Sequence, residues 1–191
     1  TGSRLVVDGT QAPTPVTVVS TEQMQLAAPR TMTEALLQLP VFAGSVSVAN
    51  QSTGTTSSNG AAHLNLRGLG TNRTLTLLNG RRIVSSTRFG GTDINIFPEA
   101  MLKSVETVTG GASAAYGTDA IAGVVNFILD TKFTGLRGHA QGGITGKSDN
   151  RNGEVSMSGG FALGERTHVL LSAEAYSQDG VFTLNDRDWY E

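Results

Sequence analysis

The sequence predicts a small mixed α/β domain over roughly its first two thirds and an antiparallel sheet over the remainder. Three observations carry this. Only 16% of the 191 residues are charged and 24 are Gly; so charge-poor, glycine-rich and hydroxyl-rich a chain favours strands and turns over helix bundles. Asn79-Gly80 sits between two apolar runs, the signature of a tight hairpin turn. After Lys132 apolar and polar residues alternate through three runs of about ten residues each.

The elements follow in order. Val16 to Val19 reads as a short extended segment. Ser20 with Gln23 forms a capping-box pattern, which opens a helix from Thr21 to about Ala28 that Pro29 ends. Thr31 with Glu34 repeats the signal and predicts a second helix, Met32 to Leu39, stopped by Pro40. From Gly44 to Ala62, 14 of 19 residues are Gly, Ser, Thr, Asn or Gln. No Asp, Glu, Lys or Arg occurs from Ala35 to Leu66. Such a stretch is either a connector or a binding loop, and its composition is compatible with both.

His63 to Arg67 alternates and ends at Gly68-Leu69-Gly70. Arg73 to Leu78, Asn79-Gly80 and Arg81 to Val84 make a hairpin with a type I′ turn. Ser85 to Asp93 is a second polar loop. Pro98 suits the first position of a short helix reaching Leu102. Ser104 to Val108 alternates as a strand, Ala112 to Tyr116 is helix-prone, and Gly117 breaks it. Gly123 to Leu129 reads as a buried strand.

Past Lys132, Leu136, Gly138, Ala140, Gly142 and Ile144 share one face, with Arg137, His139 and Gln141 between them. Ser148 to Gly153 predicts a turn. Val155, Met157, Gly159, Phe161 and Leu163 form the next apolar face, Gly164 to Arg166 the next turn, and Val169, Leu171, Ala173 and Ala175 the third face. A transmembrane β-barrel has this pattern, with lipid on one side and a polar lumen on the other. An antiparallel meander over a soluble core alternates in the same way. Periodicity leaves the two open.

Several chemistries are excluded. There is no Cys, so disulfides, thiolate catalysis and Cys-bound metal are ruled out. The net charge of −2 offers no general affinity for nucleic acid. Gly68-Leu-Gly70 is followed by Thr-Asn-Arg73 where a dinucleotide fingerprint needs glycine. His63, His139 and His168 lack metal-type spacing, and no nucleophile elbow or acid–base pair is present. No catalytic residue, metal site or cofactor is expected. No apolar run approaches the ~20 residues of a membrane-spanning helix, and Thr1 to Arg4 carries no secretory leader. Five arginines (Arg67, Arg73, Arg81, Arg82 and Arg88) precede Asp93 without an intervening acid. They read as a basic surface for an anionic ligand, or as ordinary solvated arginines.

Two segments carry a resemblance. His63-Leu-Asn-Leu-Arg-Gly-Leu-Gly70 followed by Thr74-Leu-Thr-Leu-Leu-Asn-Gly-Arg-Arg82 resembles the first signature of the plug domain of TonB-dependent outer-membrane receptors. Ile96 to Gly117, running on to Ile121-Ala-Gly-Val-Val-Asn-Phe-Ile128, resembles the second. Pro15 to Ser20 is similar to the plug's entry segment and Thr33 to Pro40 to its helix, in the same order and spacing.

The resemblance implies a mixed α/β plug at residues 1–131, followed at 132–191 by the first three antiparallel strands of a 22-stranded transmembrane β-barrel. Three strands cannot close a barrel, so it also implies a piece of a longer receptor. Function is then TonB-dependent active transport of a scarce ligand across the bacterial outer membrane. The plug gates the barrel lumen and the N-terminus faces the periplasm. The implied partners are TonB, outer-membrane lipid and a small ligand such as an iron chelate, cobalamin or an oligosaccharide. The TonB box itself is not visible ahead of Thr1.

Ligand contacts are expected from loops at Ser45 to Asn59 and Ser85 to Thr92, with Ser52, Thr53, Thr55, Asn59 and Arg88 as candidates. Plug–barrel contacts are expected at Arg67, Arg81, Arg82 and Glu106. Two other readings are a free periplasmic plug-like binding module and a small closed barrel with a soluble N-terminal domain. The length of the complete reading frame separates all three.

Overall fold

The computed structural model describes residues 16–25, 31–47, 60–87, 90–110, 112–146, 150–164 and 166–179. The chain divides into two compact units, Thr1–Asp130 and Thr131–Glu191.

The first unit is built on a five-stranded mixed sheet. Its strands are β1 (Val16–Ser20), β2 (Thr74–Leu78), β3 (Arg81–Arg82), β4 (Leu102–Val108) and β5 (Gly123–Leu129), in spatial order β1-β4-β5-β2-β3. All neighbours are antiparallel except β2 and β5, which run parallel with Thr74 opposite Gly123 and Leu78 opposite Phe127. β5 is therefore paired along both edges, and it is also covered on both faces. Val125 and Phe127 enter a large apolar cluster with Leu36, Phe42, Leu64, Leu66, Ile94, Phe97 and Val105. Val124, on the opposite side of the pleat, enters a smaller one with Leu75, Leu77, Val108 and Ala120. Phe97 meets Phe127 edge to face, with ring centroids 4.8 Å apart.

Local sequence chemistry explains the helices. Ser20 and Gln23 exchange backbone–side-chain bonds of 3.0 and 3.2 Å, a complete capping box, and open α1 (Thr21–Gln25). The expected extension to Ala28 lies outside the described residues. Thr31 caps α2 (Met32–Leu37) by accepting the Glu34 N–H, and Glu99 accepts the Met32 N–H at 2.9 Å. α2 ends two residues before the expected Leu39. Pro40 then begins a separate 3₁₀ turn, Pro40–Phe42, in which its missing N–H costs nothing.

Pro98 is not a first helical residue. The helical turn is 3₁₀, spans Glu99–Met101, and Pro98 stands ahead of it with extended backbone. α3 (Ser113–Tyr116) stops at Gly117, whose φ of 85° suits glycine. The hairpin turn is as expected: Asn79 and Gly80 have φ of 48° and 75°, the type I′ pair. β3 is shorter than expected, ending at Arg82.

The second unit is a three-stranded antiparallel sheet of β6 (Gly135–Ile144), β7 (Arg151–Leu163) and β8 (Thr167–Gln178). The register is unbroken, from Gly135 opposite Gly160 to Ile144 opposite Arg151, and from Asn152 opposite Gln178 to Leu163 opposite Thr167. The expected turn over 148–153 is narrower, because Arg151 to Gly153 already belong to β7.

On this sheet the apolar face is exposed, and the polar face is buried on β7 but exposed along β6 and most of β8. Leu136 is 75% exposed, Leu171 62% and Val155 56%, and Met157, Phe161 and Leu163 behave alike. Both buried apolar clusters are made by first-unit residues.

Gly123 is the tightest point of the first unit. Its φ is 143°, and a Cβ there would lie 2.1 Å from the Val108 carbonyl oxygen and 2.9 Å from Leu66 Cδ1. Gly123→Ala is expected to lower stability by roughly 3 kcal/mol or more, read from urea unfolding followed by circular dichroism. Gly80→Ala, also at positive φ but with nothing within 4 Å of the new Cβ, is expected to cost only about 1–2 kcal/mol. Equal losses would contradict the close approach at Gly123.

Candidate functional site

The segment His63–Thr74 reaches the sheet through a tight reversal. Arg67 (φ 55°), Gly68 (φ 70°) and Gly70 (φ 116°) all have positive φ. For Arg67 the left-handed backbone costs about 1 kcal/mol and must be held in place by its surroundings. Asn65 provides much of that. Its N–H donates to Ser45 Oγ (2.9 Å), its side-chain amide donates to the Gly44 carbonyl (3.0 Å), and its Oδ1 accepts the Gly70 N–H (2.7 Å). Thr74 Oγ1 accepts the Leu66 N–H and donates to the Gly70 carbonyl.

This geometry aims Arg67 at the chain entering β5. Its Nη2 donates to the Ala122 carbonyl at 2.9 Å. Arg82 grips the same stretch at its other end. It pairs with Asp119 at 2.5 Å and donates to the Tyr116 carbonyl. Tyr116 is the last residue of α3, so its carbonyl sits at a helix end where backbone acceptors lack intrahelical donors. Two arginines from the sequence's basic stretch thus hold Tyr116 to Ala122, the approach to the central strand. The Ala122 N–H in turn donates to the Arg73 carbonyl at 2.9 Å.

The other expected plug–barrel residues lie apart from these. Arg81 is exposed on β3 opposite Leu78. Glu106 lies mid-β4, between Val18 of β1 and Asn126 of β5 in the register. Ser52, Thr53, Thr55, Asn59 and Arg88, the expected ligand contacts, lie outside the described residues.

The described part of the second loop bonds to itself. Ser85 Oγ donates to the Thr87 and Gly91 carbonyls, Thr87 Oγ1 accepts the Gly91 N–H, and Ser86 Oγ accepts the Asp93 N–H at 2.7 Å. Ser86 N–H donates to the Gly91 carbonyl at 2.7 Å. Hydroxyls that composition marks as ligand-facing therefore serve as the loop's own scaffold.

Sequence reasoning missed Asp119, Asn65 and Thr74. Asp119 had no distinguishing signal, because Asp93, Glu99 and Glu106 stand between it and the run of arginines. The roles of Asn65 and Thr74 depend on the positive-φ reversal, which no local pattern announces.

The comparisons with known proteins agree with this architecture. The family described as TonB-dependent Receptor Plug Domain matches residues 8–124. The chain belongs to this family.

Solved structures share the fold. A mutant ferric enterobactin receptor from Pseudomonas aeruginosa, in complex with enterobactin, is 23% identical, with a TM-score of 0.70 over 92% of this chain and 26% of that one. The siderophore receptor PirA of Pseudomonas aeruginosa is 22% identical, with a TM-score of 0.62 over 90% and 30%. Its Acinetobacter baumannii namesake is 23% identical, with a TM-score of 0.66 over 90% and 26%. The chain thus spans under a third of the length of these receptors. It corresponds to a plug domain with a mixed sheet, followed by antiparallel strands.

The Arg82–Asp119 pair is half-exposed on both sides, so Coulomb attraction there is screened by water. Arg82→Met and Asp119→Asn are each expected to cost about 1 kcal/mol or less. The coupling in a double-mutant cycle should be ~0.2–1 kcal/mol and shrink in concentrated salt. A large coupling indifferent to salt would show the pair to be shielded from solvent.

Proposed function

We propose that this chain is the plug and the first three strands of a 22-stranded outer-membrane receptor that imports a scarce ligand by TonB-dependent active transport. One observation carries the reading: a plug-family domain continues into three long antiparallel strands, each with one apolar and one polar face. Lipid is the environment that suits the apolar face. A free periplasmic module would leave that face in water.

In this reading the plug gates the barrel lumen and its N-terminus is on the periplasmic side. The loops around Ser52, Thr53, Thr55, Asn59 and Arg88 contact the ligand. Arg67, Arg81, Arg82 and Glu106 face carboxylates and donors of the barrel wall in addition to the contacts described above. An interface of that polar, wet kind can be remodelled under modest force. TonB binds a segment ahead of Val16, and strand addition is the mode suited to an extended peptide. No catalytic step is involved. The ligand class we favour is an iron chelate, supported by the siderophore and ferric enterobactin receptors that share the fold; cobalamin and oligosaccharides are the remaining classes.

The test is uptake of radiolabelled ferric catecholate by cells expressing the complete receptor, with TonB present or deleted. Accumulation only when TonB is present supports the reading. Binding without TonB-linked accumulation would remove the energy coupling, and absence of binding would move the ligand class to cobalamin or oligosaccharide.

The lipid assignment has its own check. Met157→Arg, on the exposed face, is expected to lower the stability of the complete barrel in bilayers by about 2–4 kcal/mol if the residue sits near mid-membrane. Ser158→Arg, on the opposite face, is expected to cost less. The reverse order would turn the sheet inside out.

A further inference from the structure

One side chain of the first unit is buried with its polar atoms unused. His63 is 4% exposed, and neither Nδ1 nor Nε2 has a hydrogen-bond partner. Its backbone is fully engaged: its N–H and carbonyl both bond to Val46 at 2.9 Å, and the residue also bridges to Asp93. The bonds beside it tie down the same place. Ala62 donates to Asp93 Oδ1 at 2.9 Å, and Ile94 donates to the Ala62 carbonyl at 3.0 Å. The ring lies against the backbone of Gly91, where a Cβ would stand 2.9 Å from Nδ1. Asp93 is the described charged group of the facing segment, and its Oδ1 is already shared by the Ala62 and Asn95 N–H groups.

Three segments, 44–47, 60–66 and 90–94, thus meet at one residue, whose imidazole hydrogen-bonds to nothing. Burying an unbonded donor and acceptor lowers the cost of opening, because water restores those bonds once the site parts. A hydrocarbon side chain of similar size would hold the same junction more firmly.

We propose that His63 is a release joint: the point at which segments 44–47, 60–63 and 90–94 separate from one another before the central sheet opens. What triggers the release rests on the transport reading above, whereas the joint itself does not. The experiment therefore uses no ligand and no uptake.

The measurement is amide hydrogen exchange by mass spectrometry on the complete receptor in lipid bilayers, comparing wild type with His63→Leu, His63→Phe and His63→Gln. In the Leu and Phe variants, exchange in peptides containing Val46, residue 63 and Ile94 is expected to slow by ~10-fold, with β4 and β5 peptides unchanged. His63→Gln, which keeps a buried amide, is expected to exchange like wild type. Unchanged or faster exchange at the junction overturns the proposal, as does equal slowing at β4 and β5, which would be global stabilisation. Should the larger Phe overpack and expose β5, the smaller Leu variant decides.

Discussion

The first unit depends on delivering backbone to β5. That strand is paired on both edges and covered on both faces, so nothing about it can be adjusted from outside. Chain entering it must pass Gly123, where the Val108 carbonyl leaves no room for a Cβ. The surrounding polar contacts serve this approach. Arg67 and Arg82 hold the segment before it, at the Ala122 carbonyl and at Asp119 with the Tyr116 carbonyl. Beyond it, Asn126 Oδ1 accepts the Gly80 N–H and Asn79 Oδ1 accepts the Leu129 N–H, both at 2.8 Å, fastening the hairpin turn to the far end of the strand. A stretch of cations without acids is thus stable because its partners are carbonyls and one carboxylate some forty residues later in the chain.

The two units obey opposite rules about solvent, although both are built from period-two strands. β5 alternates between two buried faces, so it reads as a continuous apolar run. β6 to β8 alternate between an apolar face and a face carrying His139, Glu154, Ser156, Ser158 and Glu174. Alternation reports that two faces differ and not which medium each one meets. This is why lipid-facing strands and a soluble meander are indistinguishable on periodicity. What tells them apart is the plug-family domain that precedes these strands and the receptor structures that share the fold.

Local chemistry was the most legible part of the sequence. The capping boxes at Ser20 and Thr31, the Asn79-Gly80 turn, the break at Gly117 and the three long strands all depend on residues within a few positions of one another, and all appear in the structure. Errors fell at boundaries: α2 ends two residues early, Pro98 precedes its turn, and β7 begins inside an expected turn. Such ends are where local patterns are weakest, since even the start of α2 takes a bond from Glu99, 67 residues away, to the Met32 N–H. The site was less legible than the fold. The left-handed backbone at Arg67, which decides where that side chain reaches, has no sequence signature, because a non-glycine residue adopts it only when its surroundings impose it.

The loop hydroxyls carry a related lesson about where compliance resides. A Ser/Thr-rich loop invites the reading that its side chains await a ligand. The hydroxyls of Ser85, Ser86 and Thr87 are spent on the loop's own backbone, which shapes that part in advance and reduces the ordering cost of any contact it makes. A loop shaped in this way transmits a displacement to its base more readily than it absorbs one. The base is where Gly91 and Asp93 meet His63, the junction with unbonded polar atoms. Below it, Leu64 and Leu66 lie in the large apolar cluster against β5, where opening would expose hydrocarbon and recover no hydrogen bonds. Free energy therefore favours parting at the junction over parting within the loop or within the core.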